Sequence, residues 1–198
     1  NMLVVRPTLK ADSVEQLIVM ARKEPGRINY ASAGPGSSPH LGAELFRERA
    51  GVDIVHIPYS GAAPAINDLV GGQVDMAVLN LAASLQFIRS GRLKALAYAN
   101  GQRSPLLPDV PTLAESGVKG AESASWYSLA APKGTPPEIL QRLNDAVAKI
   151  NADPEYSKLM QAQGVDLWNM TPAEATAFVE KDQAAMRKLV QAAGLMKK

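Results

Sequence analysis

Apolar positions in the first hundred residues switch repeatedly between short β-branched runs and helical spacing. Met2–Arg6 reads as a strand, and Ser13–Val14–Glu15–Gln16 then has the form of a capping box, with Ser accepting from the backbone while Gln reaches back. Val14, Leu17, Ile18 and Ala21 hold one helical face, which Pro25–Gly26 ends. The same alternation predicts strand Ile28–Ser32 and a helix from about Ser38 to Ala50 with Leu41, Leu45 and Phe46 inward. Strand Ile54–Tyr59, helix Ala62–Val70, strand Asp75–Asn80, helix Ala82–Arg89 and strand Leu93–Ala99 complete the series. Gly71–Gly72 and Gly91 fall just past helix ends, where a left-handed cap favours Gly. A βα series of this kind implies a parallel sheet with helices on both faces.

After Asn100 the texture changes. Arg103–Thr112 is a proline-rich loop without periodicity, and Ser123–Ala131 reads as a strand around Trp126 and Tyr127. Three helices close the chain. Thr135–Pro136–Pro137–Glu138 and Thr171–Pro172–Ala173–Glu174 both read as capping boxes with Pro at the first helical position. Ile139, Leu143, Val147 and Ile150 form one apolar face; Phe178, Met186 and Leu189 belong to another. Such faces need a sheet to cover, and this segment supplies only one or two strands. The C-terminal third therefore reads as part of a domain whose other strands are absent.

Composition narrows the function. The 198 residues suffice for one large domain or two small ones, and 46% hydrophobic with 20% charged residues is ordinary globular composition. A net charge of +2 with no Lys/Arg cluster argues against a nucleic-acid partner. Zero cysteines exclude thiol catalysis, disulfides and Cys-based zinc sites; with two histidines besides, no metal site or cofactor is expected. No run approaches the roughly 18 apolar residues of a membrane span. There is no charged-then-apolar leader, and the chain opens inside its first strand.

The candidate chemistry lies at two strand-to-helix junctions, Ile28–His40 and Ile54–Pro64. Each passes from a strand through a turn of small residues into a helix. In a parallel sheet both turns lie at the carboxyl edge, where open α/β folds bind ligands. A helix start carries unpaired N–H groups and the positive end of the dipole, so two converging starts suit an anion, above all a carboxylate. Ser32, Gly34, Gly36, Ser37, Ser38 and His40 are candidates from the first junction, and Tyr59, Ser60, Gly61, Ala62 and Ala63 from the second. Each has a plainer role. Ser37 and Ser38 can cap their helix, Gly34 and Gly36 can serve the turn alone, and His40 can be a packed or capping histidine. Tyr59 suits a cleft wall or strand-end packing, and His56, mid-strand, reads as structural. Ser37, Ser38, His40 and Asp53 also invite a hydrolase reading, but the stretch lacks a G-x-S-x-G elbow. Neither a phosphate loop nor a dinucleotide fingerprint is present.

Five segments in order carry a family resemblance: Tyr30–Leu41, Ile57–Ala65, Gly71–Asp75, Leu107–Gly117 and Ala131–Pro136. Together they resemble the Bug/TctC-type substrate-binding proteins of tripartite tricarboxylate transporters, over nearly the whole chain. The resemblance implies an α/β, periplasmic-binding-protein-like (type II) fold of two domains joined by two crossing strands. It also implies a periplasmic receptor, not an enzyme, that closes over a small carboxylate and delivers it to a membrane permease. Family members are about half as long again. On that comparison residues 1–98 are the second, parallel-sheet domain, nearly entire, and 99–198 are the C-terminal portion of an incomplete first domain. Leu79 and Asn80 join the candidate contacts through the resemblance. Some members carry Asp where this chain has Leu79, which could pair with a ligand ammonium; Leu cannot, so a carboxylate without an amino group is expected. Two other readings stay open: the ligand-sensing effector domain of a transcription regulator, which can share this architecture, and a hydrolase.

Overall fold

Short β-branched runs bounded by Gly, Pro and Ser give strands of four or five residues, and the helical repeats between them give helices of 9 to 13. The computed structural model describes residues 1–192. Its elements up to residue 98 are β1 (Met2–Val5), α1 (Val14–Lys23), β2 (Asn29–Ser32), α2 (Ser38–Ala50), β3 (Val55–Pro58), α3 (Ala62–Val70), β4 (Met76–Leu79), α4 (Leu81–Arg89) and β5 (Lys94–Tyr98). The capping box forms: Gln16 N–H donates to Ser13 Oγ at 3.2 Å, and Gln16 Oε1 reaches back to Asp12 N–H at 2.8 Å.

The sheet order is β3-β2-β4-β1-β5. β2 pairs in parallel with β3 and β4, but β1 runs antiparallel to both β4 and β5. The expectation of an all-parallel sheet is thus corrected to a mixed one. Residue periodicity says that a segment is a strand and which residues share a face, not the sense in which it enters the ladder. Because Met2 sits opposite Leu79 and Tyr98, the start of the chain lies at the carboxyl edge of the other strands.

The period of two in the strands divides the core into two layers. Leu3, Val5, Tyr30, Met76 and Val78 face Val14 and Leu17 of α1 and Ala43 and Phe46 of α2. Met2, Val4, Ala31, Ala77 and Leu79 face Ile66 and Leu69 of α3 and Leu81 and Leu85 of α4. Each large apolar side chain so buried contributes about 1.5–3 kcal/mol against exposure. Those two layers fix where three helix starts fall.

The compact unit holding this sheet comprises Asn1–Ser125 together with the chain from Leu189; Trp126–Lys188 form a second. It thus extends past residue 98, because Tyr98 N–H donates to Pro111 O at 2.7 Å and Ser123 N–H to Ala99 O at 2.9 Å. Leu113, Val118 and Ala121 join its core. The strand expected over Ser123–Ala131 does not form. A strand needs a partner ladder, and the ladder beyond β5 amounts to a single bridge, Tyr98 to Thr112.

Within the second unit, α5 (Pro137–Asn151), α6 (Pro154–Ala162) and α7, which runs Pro172–Ala192, match the three expected helices. The Thr171 box forms: Thr171 N–H donates to Glu174 Oε2 at 2.8 Å, and Glu174 N–H to Thr171 Oγ1 at 3.2 Å. The Thr135 box does not. Pro136 takes the cap position, which lacks a side-chain acceptor, and Thr135 Oγ1 donates instead to Pro132 O at 2.8 Å. Phe178 packs edge-on against both Trp126 and Trp168. Ile139, Leu143, Val147 and Ile150 of α5 are exposed, as the sequence led one to expect of its apolar face. No helix among the described residues is long and apolar enough to cross a membrane.

Candidate functional site

From β2 the chain moves outward to β3, then returns across β2 to β4. α2 covers one face of the sheet, α3 and α4 the other. The strand order therefore reverses beside β2, the position at which open α/β sheets leave a crevice. α2, α3 and α4 all begin at this edge.

The turn before α2 satisfies most of its own donors. Ser32 Oγ accepts from Gly34 N–H at 3.1 Å, and Ser37 Oγ donates to Gly34 O at 2.7 Å. Gly36 N–H donates to His40 Nδ1 at 2.9 Å, and His40 N–H donates to Ser37 Oγ at 3.4 Å. Gly34 sits at φ +117°, in the left-handed region, and a Cβ there would meet Tyr59 O at 3.3 Å. Tyr59 N–H donates to Ser32 O at 3.1 Å, so the turns after β2 and β3 are held against one another. Of this turn's residues, Ser38 keeps a backbone N–H without an acceptor.

The start of α3 is open. Gly61 occupies its cap position with extended backbone and no side-chain cap. Among the described residues, nothing accepts from the N–H groups of Ser60, Gly61, Ala62 and Ala63. α4 likewise begins without a side-chain cap, and the amide of Asn80 before it makes no hydrogen bond among the described residues. Unpaired N–H groups and the helix dipole make these starts positive, with no cationic side chain among the candidates. Tyr59, half-buried, donates its hydroxyl to Asp68 at 2.7 Å, and burial with that bond pushes its pKa up to about 12.

Beneath the turns lies a buried ring stack. Tyr30 and His56 stack at 4.9 Å between centroids, and His56 and His40 at 3.9 Å. Tyr30 donates its hydroxyl to Glu44, whose Oε2 accepts from Arg47. Burial lowers both imidazole pKa values, and for His56 the neighbouring His40 adds to the effect. Ser32 Oγ lies 2.6 Å from His56 Nε2, the separation of a nucleophile and its base. However, Ser32 is fully buried, and no carboxylate among the described residues bonds His56. Asp53 precedes β3 at the opposite edge, where its carbonyl accepts from Gly26 N–H.

The sheet edge thus brings together Gly34, Gly36, Ser37, Ser38, Tyr59, Ser60, Gly61, Ala62, Ala63 and Asn80. Ser32 and His40 have buried side chains and support the turn from below. The Leu79 side chain is buried in the layer with α3 and α4. Sequence reasoning missed Asn1, Ser123 and Ser125. Ser38 Oγ lies 2.6 Å from Ser125 Oγ and accepts from Asn1 Nδ2 at 3.3 Å; Asn1 Nδ2 also donates to Ser123 Oγ. Residues this far apart leave no periodic signal. Gly42 was missed too, although a Gly inside a helical pattern signals close packing. A Cβ there would lie 2.9 Å from both Val78 Cγ1 and Ser123 Oγ.

Comparison with known proteins gives a consistent result. The family model described as the tripartite tricarboxylate transporter family receptor matches residues 1–195. Protein BugT of Bordetella pertussis is 39% identical over 177 residues, covering 89% of this chain and 54% of BugT. A UPF0065 protein in the tcbD-tcbE intergenic region of Pseudomonas sp. (strain P51) is 36% identical over 191 residues, covering 96% of this chain and 57% of the relative. The chain therefore spans just over half the length of the curated relatives it matches. Among solved structures, R. palustris Rpa4515 with adipate superimposes at a TM-score of 0.92 with 36% identity, over 98% of this chain and 65% of that one. MatC (Rpa3494) from Rhodopseudomonas palustris with bound malate gives 0.87 at 28% identity, over 96% of this chain and 65% of that one.

Proposed function

Given that the chain belongs to the tripartite tricarboxylate transporter receptor family, we propose that it supplies one wall of a periplasmic solute receptor that binds a small carboxylate without catalysis and delivers it to the transporter's membrane permease. In this reading a mono-, di- or tricarboxylate rests against the head of α3 and the Asn80 amide. The supporting observation is the run of four N–H groups, Ser60–Ala63, that donate to nothing among the described residues. A carboxylate has lone pairs for several such donors, and charge-assisted bonds are the stronger kind. Gly61 and the two Ala methyls leave the backbone open to close approach. With Leu79 in the core and no acidic side chain among the candidates, a ligand ammonium would find no counter-charge. A carboxylate without an amino group is the better fit, and the adipate and malate in the two Rhodopseudomonas structures are of this kind. The buried Ser32 hydroxyl favours a binder over a hydrolase.

Calorimetry with adipate, malate and a tricarboxylate tests the assignment. One open wall of helix starts, screened by salt, should bind at about millimolar strength, roughly 4 kcal/mol. Gly61→Leu should weaken binding by about tenfold through blocked approach, roughly the value of one charge-assisted hydrogen bond. Its melting temperature should fall by only a few degrees, from the poorer cap preference of Leu, because Gly61 has extended backbone and nothing within 4 Å of its Cβ position. Binding that survived Gly61→Leu unchanged would remove the α3 head from the site.

A further inference from the structure

Two imidazoles stacked face to face under a ligand turn, His40 buried and His56 partly so, need an explanation beyond packing, since an aliphatic pair would fill the same space without a titratable group. His40 is 2% exposed, and its Nδ1 is the acceptor for Gly36 N–H. That bond requires an unprotonated Nδ1, so the turn as built selects a neutral His40 with its proton on Nε2. Gly36, at φ +78°, lies between Gly34, which touches the β3–α3 turn, and Ser37, which caps α2. Withdrawing its acceptor would leave a donor facing a donor in the middle of the turn.

We infer that His40, with His56 stacked on it, is a positioning residue that acts as a proton-sensitive latch: neutral, it holds the Gly34–Ser38 turn in the ligand-binding conformation, and on protonation it releases that turn. The inference rests on the carboxylate-receptor reading for its effect on binding, but the latch itself exists without ligand. His56 has a different response to protons. Its Nε2 faces a hydroxyl, Ser32 Oγ, which can donate or accept, so protonation there is accommodated by turning one O–H. His40 faces a backbone N–H, which cannot turn.

The groups around the stack set where the latch operates. From β2, Tyr30 stacks on His56 with its hydroxyl committed to Glu44; from β3, His56 itself disfavours a second charge at 3.9 Å. From α2, Glu44 favours a protonated His40, whereas Arg47, paired to Glu44, opposes it. Burial is the largest influence on both imidazoles and favours their neutral forms.

The test uses the 198-residue chain and two readouts. By NMR without ligand, the Gly36 amide should shift, and exchange faster than base-catalysed exchange alone allows, with the midpoint at which the His40 imidazole titrates. By calorimetry with adipate and malate, affinity should fall between pH 7.5 and pH 5 by about tenfold more in the wild type than in His40→Asn. The Asn Oδ1 can take the place of Nδ1 as acceptor without titrating, and comparison with it cancels protonation of the ligand. His40→Ala should bind about tenfold more weakly than His40→Asn even at pH 7.5. A Gly36 amide indifferent to His40 titration overturns the latch, as does His40→Asn with the wild-type pH dependence. If neither ligand binds at pH 7.5 while the Gly36 amide tracks His40, the receptor reading fails and the latch stands.

Discussion

Gly42→Ala tests whether the seat of α2 on the sheet depends on a missing methyl group. In an isolated helix the change would stabilise by about 1 kcal/mol. Here the new Cβ would stand 2.9 Å from Val78 Cγ1 on β4 and 2.9 Å from Ser123 Oγ. Ser123 can swing its hydroxyl away by giving up the bond from Asn1 Nδ2, at about 1 kcal/mol. Val78 is buried and can yield only by leaving its rotamer or by displacing the helix, about another 1 kcal/mol. The balance is a net destabilisation of about 1 kcal/mol. Val78→Ala removes the clashing carbon, so the double variant should be about 1 kcal/mol more stable than the sum of the single changes. Tryptophan fluorescence is the wrong probe, because Trp126 and Trp168 both lie in the second unit. Hydrogen exchange at the β4 amides reads the sheet directly. If Gly42→Ala instead stabilised by the full helix-propensity gain, or the cycle were additive, the argument that close packing fixes α2 would fail.

Three further outcomes follow from the structure. Both imidazoles are held below their ordinary 6.5, so the folded state prefers them neutral; stability of the sheet unit should be flat above about pH 6.5 and decline as pH falls below it. Urea titrations at stepped pH check this, and a stability that rose from pH 6.5 to 5 would contradict it. Thr171→Ala removes the Oγ1 side of the α7 capping box, leaving the backbone N–H of residue 171 on Glu174, and should cost the second unit about 1 kcal/mol, read by tryptophan fluorescence in urea. Ser37→Ala loses the α2 cap and the bond to Gly34 O, and should cost the sheet unit about 1 kcal/mol by hydrogen exchange.

The elements before residue 100 were legible because they are local. Leu17 and Ala21 keep helical spacing, Val55 and Ile57 alternate, and Gly51 ends α2 in the left-handed conformation its position invites. The sense of β1 was not legible, since Met2–Val5 reads the same entering the sheet from either end. Nor was the absence of a strand over Ser123–Ala131: its β-rich composition is real, but a strand exists only with a neighbour. In the candidate site, the small residues of both turns marked the sheet edge at which α2 and α3 begin. The sequence could not say that the first turn spends its donors internally while the second does not. That difference turns on whether His40 Nδ1 and Ser32 Oγ point back into the turn, which is a matter of tertiary packing. The Ser38–Ser125–Asn1 cluster joins the two ends of the sheet unit and lay beyond any local pattern.

The central placement of β1 has a consequence for how the chain acquires its structure. Met2–Val5 finds its ladder partners only in residues 76–79 and 94–98, and it separates β4 from β5. During synthesis β1 has no ladder partner until β4, about 75 residues further along the chain, has been made, and closing so long a loop is slow relative to local helix formation. Folding of this unit should therefore be late and cooperative, with β2, β3 and β4 able to assemble first around their parallel ladders. In the interval β4 presents an unpaired apolar edge. That edge, rather than any flaw in the finished protein, is where misassembly during expression would begin.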